Sequence, residues 1–443
     1  MKIIIKWSLL CITILIFLYA FSSSYSAQNI DNLDYVIALG IDSSDSEEAL
    51  LVSFEFIDFS SFSGESSSGS SAPIINTVQA PSIESAINIM NGYMGKQVNL
   101  SHCKVIVFSD KLAQKGILKE TSFLMNNIQV RPTANVIISK GQASDYLENS
   151  TSSLEKELTK YFDIFPNLSK YTGYSSNILL GKLYENMLNN SVGTTAILGS
   201  MSQNFKQEES SSKSTSESSS NSSSEKKQSN SKDSSSSSKS SSSSQSHQNT
   251  FKNDVHSEGT IIKGDRGTEN FGLAVLKNGC YVGELSAEEA LCHSLLKSEV
   301  NTFVIRINSP FSENEKIELS LNSQSSKKTK INTSNDTPDI NIECDLFGKV
   351  LSLGSTGDFS NSETLKKIND SANSELTKLL LGYLNKTSKE FKTDIDNFAN
   401  IAKKNFKTIP DFSKYNWAQK YENANFNVKI NTNITSSILI SNT

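Results

Sequence analysis

The sequence predicts an α+β, multi-domain protein, with mixed, mostly antiparallel sheets packed with helices and a disordered Ser-rich insert. Three observations predict it. Short β-rich runs alternate with helix-period runs on both sides of the insert. An Asn-Gly pair at 278–279 sits between two apolar runs, a strong hairpin signal because both residues tolerate positive φ. Residues 206–250 are more than half Ser with scattered Lys, Glu, Asp and Gln, too little apolar surface to offset chain entropy.

The 443 residues suggest two or three domains. The expected division is 1–27 as signal peptide or signal anchor, 28–200 as an N-terminal mixed α/β domain, 201–257 as a disordered Ser-rich linker and 258–443 as a C-terminal α+β domain. Hydrophobic content of 36% is low, and the Ser tract accounts for the dilution. The net charge of −5 argues against nucleic acid as a partner.

At the N-terminus, Lys2 and Lys6 precede an uncharged apolar run from Trp7 to Phe21, and the next charges are Asp31 and Asp34. That asymmetry places the remainder outside the cytoplasm. As helix the run covers about 22 Å, short of a bilayer core of about 30 Å. Adding Ile3–Ile5, with Lys6 snorkelling, nearly reaches spanning length. Ser24 and Ser26 give a weak small-x-small cleavage site before Ala27. Cleavage and anchoring both stay open.

Tyr35–Ile41 and Leu50–Ile57 read as an antiparallel pair joined by an acidic loop. A Ser/Gly stretch at 60–71 reads as a flexible loop, and Ile74–Gln79 as a third strand. Pro81 and Ser82 start a helix with Ile83, Ala86, Ile87 and Met90 on one face. Lys104–Phe108 is a strand. Asp110 is a cap for the helix after it, with Gly116 interrupting. Arg131–Pro132 halts the chain before the strand Thr133–Ser139, and Arg131 is expected as a buried ion-pair partner. From 142 to 200 the pattern is mostly helical, best at Asp145–Leu158 and Ser176–Asn189. These helices either cover the first sheet or form a lobe of their own.

Beyond the insert, Gly272–Lys277 and Cys280–Val282 flank the hairpin turn. Ser286 with Glu289 forms a capping box, and Ala287, Ala290, Leu291 and Leu295 line one helix face. Thr302–Asn308, Lys316–Leu321, Lys328–Thr333 and Ile340–Leu346 alternate as strands of a sheet with one wet face. A long helix from Ser362 to about Phe391 carries the stripe Leu365, Ile368, Ala372, Leu376, Leu379 and Tyr383, better suited to packing on a sheet than to a coiled coil. Phe398–Phe406 is a short helix and Phe426–Ile440 a closing strand.

The search for chemistry is mostly negative. His247 and His256 lie in or beside the Ser tract. His102 and His293 each neighbour a Cys, and no CxxC or HxxxH spacing exists. No GxSxG, P-loop or helix-opening GxGxxG is present. Glu288–Glu289 and Asp394–Asp396 sit at helix starts, where the macrodipole explains them. Lys327, Lys328 and Lys330 form a small basic cluster that reads as a solvated strand edge. Cys103, Cys280, Cys292 and Cys344 are expected as free thiols, although three disulfide pairings are open to them. No catalytic residue, cofactor site or metal site is expected.

DYVIALGID at 34–42, NLSHCKVIVFSDKLAQKGI at 99–117 and RPTANVIISKG at 131–141 resemble the N-terminal half of the C subunit of bacterial spore germinant receptors, the Ger(x)C family. FGLAVLKNGCYVGELSAEEA at 271–290 resembles its C-terminal half. The resemblance implies a C-terminal domain of sheet, long helix, short helix and final strand. It also implies a non-enzymatic subunit beside two membrane-embedded receptor subunits at the extracytoplasmic face of the spore inner membrane. Its role would be assembly or signal coupling in nutrient-triggered germination. The alternative is an extracytoplasmic protein that binds the small-molecule germinant itself. Counted back from the LGID at 39–42, the family's lipobox Cys falls on Ser24 and its Trp on Tyr25. A Ser hydroxyl cannot take the thioether-linked lipid, and Cys11 lies too close to Lys6 to replace it. Residues 3–21 would then hold the chain at the membrane.

Overall fold

The computed structural model describes residues 2–22, 32–46, 49–57, 74–150, 158–202, 267–323, 326–353 and 361–435. The Ser/Gly stretch at 60–71, the Ser tract, and Ser24, Ser26 and Ala27 lie outside these described residues.

Helix α1 (Lys2–Ser22) is followed by β1 (Leu33–Ser43), β2 (Leu50–Phe56) and β3 (Ile74–Ala80). These pair antiparallel in sequence order, Ile41 opposite Val52 and Val52 opposite Val78. Helix α2 (Ile83–Met94) begins where the sequence placed it, since Ser82 Oγ accepts from Ser85 N, and it ends at Gly95 in the left-handed region. The chain continues through β4 (Gln97–Asn99), β5 (Val105–Ser109), α3 (Asp110–Lys115), α4 (Leu118–Asn126) and β6 (Asn135–Ser139). Asp110 is the first residue of α3 rather than its cap, which is Ser109. Its Oδ1 accepts instead from the Lys111 and Gly141 amides.

Next come α5 (Ala143–Glu148), α6 (Leu158–Ile164), α7 (Ser169–Thr172), α8 (Leu180–Met187) and β7 (Thr194–Met201). The helical reading of 142–200 thus fails at its end. TTAILGSM is a strand buried along nearly its whole length, and a short apolar run carries no period to separate strand from helix. Strands β1, β5, β6 and β7 are mutually parallel and form the centre of the sheet. VIVFS and NVIIS are buried at every position, as parallel strands covered on both faces must be. On one face Leu39, Phe108 and Ile138 pack with Met90, Leu124 and Leu183. On the other, Val107 and Ile137 pack with Tyr146, Leu147 and Phe162. The 142–200 helices therefore cover the first sheet.

The first sheet does not end before the insert. Strand β8 (Thr268–Glu269) and the hairpin of β9 (Leu273–Lys277) and β10 (Cys280–Leu285) belong to it. Thr194 pairs antiparallel with Leu276 and Ile197 with Leu273. The result is ten strands in the order β10-β9-β7-β6-β5-β1-β2-β3, with β4 beside β1 and β8 beside β7. Asn278 and Gly279 make the turn at φ 52° and 83°.

Helix α9 (Ala287–Lys297) opens with the capping box: Glu289 N donates to Ser286 Oγ and Ser286 N to Glu289 Oε2. The second sheet comprises β11 (Thr302–Asn308), β12 (Lys316–Asn322), β13 (Lys327–Asn332), β14 (Asp339–Leu353) and β15 (Asn425–Thr435). Its order is β11-β12-β14-β13, with β15 parallel to β14. Strand β14 runs fifteen residues, far past the expected Leu346, and so bridges β12, β13 and β15. Helix α10 (Ser362–Asn385) buries Ile368, Ala372, Leu376, Leu380, Tyr383 and Leu384 against this sheet. Leu380 and Leu384 join the expected stripe, while Leu365 and Leu379 are half-buried at its margins. Three short helices, α11 (Phe398–Ala402), α12 (Ile409–Tyr415) and α13 (Trp417–Tyr421), lead into β15.

Candidate functional site: a buried polar junction between the two sheets

A cluster of buried, hydrogen-bonded polar groups lies where the second lobe meets the first sheet. One strand and two helices contribute one group each, and one loop contributes two. Thr195 comes from β7, His293 from α9, Tyr383 from the end of α10, and Asp394 and Asp396 from the loop after it. His293 Nδ1 lies 2.9 Å from Asp396 Oδ1 and 3.0 Å from the Tyr383 hydroxyl. Tyr383 donates to the Asp396 carboxylate at 2.9 Å. His293 Nε2 faces Thr195 Oγ1 at 3.4 Å. A ring carrying its proton on Nδ1 donates to Asp396 and leaves Nε2 to accept from Thr195. Burial, then the Asp396 charge, raises the Tyr383 phenol well above its ordinary value, so it stays a donor.

Asp394 lies behind this set. Its oxygens accept from the amides of Asp396, Phe398 and Ala399 and from Trp417 Nε1 at 2.7–3.1 Å. Its own carbonyl accepts from Gly193 N at 2.8 Å, just before β7. Burial pushes the Asp394 carboxyl up to about 7 in spite of those donors, with the Asp396 charge adding to the rise. A Cβ on Gly193 would lie 2.5 Å from Thr393 Oγ1 and 2.9 Å from Leu276 O. Only glycine lets the loop approach so closely.

A hydroxyl, an imidazole and a carboxylate in a row is the arrangement of a nucleophilic triad. Here the His293 and Asp396 side chains are 0% and 1% exposed. Sealed from solvent, the three groups cannot meet a substrate in this conformation. Their hydrogen bonds fix the junction instead.

In open parallel sheets, ligands bind beyond the carboxyl ends of the strands. At that end the protein supplies its own anion. Asp42, at the end of β1, accepts from Ala143 N at 2.7 Å and Ser144 N at 3.1 Å, the first amides of α5. Burial raises its carboxyl and those two bonds work against the rise. Lys140 closes the neighbouring position by pairing with Glu284 of β10 at 2.8 Å. Glu55, on β2, is another buried acid. It is fully enclosed, neither oxygen has a partner, and burial pushes it up to about 8.

Two open cavities lie on the second lobe. One of about 430 Å³ is lined by Lys328, Lys330, Asn341, Glu343, Asn427 and Lys429 on the wet face. The other, about 570 Å³, lies between α10 and β15, among Lys366, Asn369, Asp370, Asn373 and Thr432. Lys327 turns away from its neighbours and donates to Ser298 Oγ. No group of three or more metal-ligating side chains occurs among the described residues. All five cysteines are free thiols, with Cys103, Cys292 and Cys344 buried.

Sequence reasoning found no metal-ligand spacing around His293 and read the Asp394–Asp396 pair as a helix-start feature. Asp394 does bond the first turn of α11, but Asp396 turns to His293. No spacing in the sequence links residues 103 apart. Arg131 departs from expectation: it is exposed, and no described carboxylate pairs with it, because the turn that ends at Ala134 carries it outward.

Residues 26–203 match the family described as spore germination protein N-terminal domain, and residues 271–437 the family described as spore germination B3/GerAC-like, C-terminal. The chain belongs to the GerAC-like, or Ger(x)C, family of germinant receptor C subunits. Its two family domains meet at the β7–β9 pairing and at the His293 junction. YfkR of Bacillus subtilis (strain 168), named as a spore germination protein, is 27% identical over 93 residues. That match spans 21% of this chain and 24% of YfkR. The crystal structure of the GerBC protein superposes with a TM-score of 0.49 at 14% identity, covering 89% of this chain and 96% of that one.

Proposed function

We propose that this Ger(x)C chain is a non-enzymatic subunit of a spore germinant receptor. In this reading its folded lobes are docking surface for the membrane-embedded subunits, and it serves assembly or signal coupling in nutrient-triggered germination. The carrying observation is the sealed junction: the constellation most like a catalytic one is spent on joining the two lobes. The germinant-binding alternative finds less support. Both of these cavities are open, and each mixes Asn, Lys and carboxylates with only two apolar side chains, Ile342 and Val428 in one and Leu365 and Ile434 in the other, whereas small-molecule sites enclose most of the ligand among apolar walls.

The proposed location is the extracytoplasmic face of the spore inner membrane, with α1 as anchor. Among the described residues no helix is long and apolar enough to cross a membrane, and several α1 side chains, those at 18 and 20–22 among them, lie outside that set. End to end, α1 has 21 residues, about 31 Å of helix. Ile3, Ile4, Ile5, Leu10, Ile12 and Leu15 are exposed all round its circumference. A helix apolar on every side fits lipid rather than water. With Ser at 24, no lipid attachment is expected.

A deletion strain scored for germination with individual nutrients tests the receptor reading. Loss of response to one nutrient class supports it. Intact germination with a wall defect would replace it with an enzymatic role. Fatty-acid labelling and the intact mass from spores test the anchor: a labelled chain, or one beginning near Ala27, would reject it.

A further inference from the structure

We propose that the end of the first sheet at which β1, β4, β5 and β6 begin rests on an anionic phospholipid surface. The proposal builds on the anchoring role given to α1.

The parallel pairing puts the segments before these strands at one end of the sheet. Leu33 pairs with Gln97, Ala38 with Val105, and Val105 with Asn135. The approach segments also touch each other. Gln129 Oε1 accepts from Leu100 N at 3.0 Å, and the His102 and Tyr35 rings meet at 4.7 Å. What this end shows to solvent is unlike a solvated rim. Ile128 is 100% exposed, and Tyr93 at the end of α2 is 75% exposed. Ile164 is also exposed. Lys96, Lys104 and Arg131 are interspersed with them, against the carboxylates of Asp34 and Asp163, which pair with the two lysines. Arg131 has no described acidic partner. Apolar and aromatic tips among cations match the headgroup boundary of an anionic leaflet.

The chain path agrees. Ten residues separate Ser22 of α1 from Leu33. Fully extended they reach no more than about 40 Å, so an anchored α1 keeps the start of β1 near the membrane. The exposed Arg131 and Ile128, unexplained by packing, find their partner in this orientation.

The full chain is reconstituted in phosphatidylcholine vesicles containing roughly one-third phosphatidylglycerol. Ile128→Trp is made in a Trp7→Phe background, with dibrominated lipid as quencher. Trp417 is buried and contributes equally to probe and background. The introduced indole should be quenched at least about twofold beyond the background, and Lys96→Gln with Arg131→Gln should relieve that quenching. Emission no more quenched than background overturns the proposal. So does an indole that responds only when the receptor's membrane subunits are co-reconstituted, which would assign this end to a protein partner. Resistance to alkaline carbonate extraction reads α1 separately. A retained chain with no quenching fails the surface alone, and an extracted chain that is quenched fails the anchor alone.

Discussion

Replacing Glu55 by Gln should flatten the pH dependence of the first sheet's stability. Glu55 sits on β2 between Ala38 and Ile75, with no accessible surface and no hydrogen bond to either oxygen. Burial alone raises its carboxyl from 4.5 to about 8. The folded state therefore holds a proton that the unfolded chain releases, and stability falls as pH rises from about 4.5 through about 8. Below that window the group contributes no loss, and above it the loss is complete. At about 1.36 kcal/mol per pH unit, the gap sets a penalty on the order of 3–5 kcal/mol near pH 9. Gln keeps the shape and cannot ionise. Its unpaired amide adds an offset that is the same at every pH, so the slope of the difference is the readout. Urea unfolding of wild type and Glu55→Gln in detergent, followed by circular dichroism, should show the variant's relative stability rising by about 3–5 kcal/mol between about pH 4 and pH 9. Parallel pH profiles would refute the reasoning, because they would mean that Glu55 is solvated or paired in solution.

Other outcomes are expected at the junction and beyond it. Asp396→Ala strands His293 and Tyr383 in a sealed site and should destabilise by about 3–5 kcal/mol in the same urea assay. Arg131→Ala, on an exposed side chain, should change unfolding by less than about 0.5 kcal/mol, while Gly193→Ala should cost several times more through its clash with Thr393 and Leu276. Asp394 adds a second pH-dependent loss, growing as pH rises from 3.8 to about 7, and Asp394→Asn should remove that part of the slope while costing some of its amide bonds. Deleting residues 210–245 should leave stability and germination near wild type, since loop closure varies only as about (3/2)RT ln n. Protease nicking within the tract should leave two pieces that co-elute under native conditions, because β7 and β9 pair across the cut.

Locally encoded features were legible in the residues. The Asn278–Gly279 turn, the Ser286–Glu289 box, the Ser82 cap and the alternation of β11–β13 each depend on neighbours within a few positions, and each formed as read. Strand β7 was lost because TTAILGSM is uncharged throughout, with small hydroxyl residues among the apolar ones, and lacks any alternating period. The length of β14 was lost because its second half pairs on two sides, which only distant strands decide. The junction was illegible for the same reason. Thr195, His293, Tyr383 and Asp396 are ordinary one at a time, and only the tertiary path makes them a cluster. Arg131 misled because an Arg before Pro looks structural, whereas the local turn points it to solvent.

The pairing of β7 with β9 has a consequence for the order of events on the ribosome. When Met201 emerges, the hydrogen-bonding edge of β7 has no partner on its outer side. Leu273 follows roughly seventy residues later, several seconds at about 5–20 residues per second. Throughout that interval an apolar strand edge is bare, the state most liable to pair with another chain. Much of the stretch being synthesised meanwhile, residues 206–250, is more than half Ser. Biogenesis of the first lobe is thus completed only by residues that the sequence assigns to the second, and a chain truncated at the insert would release an open sheet.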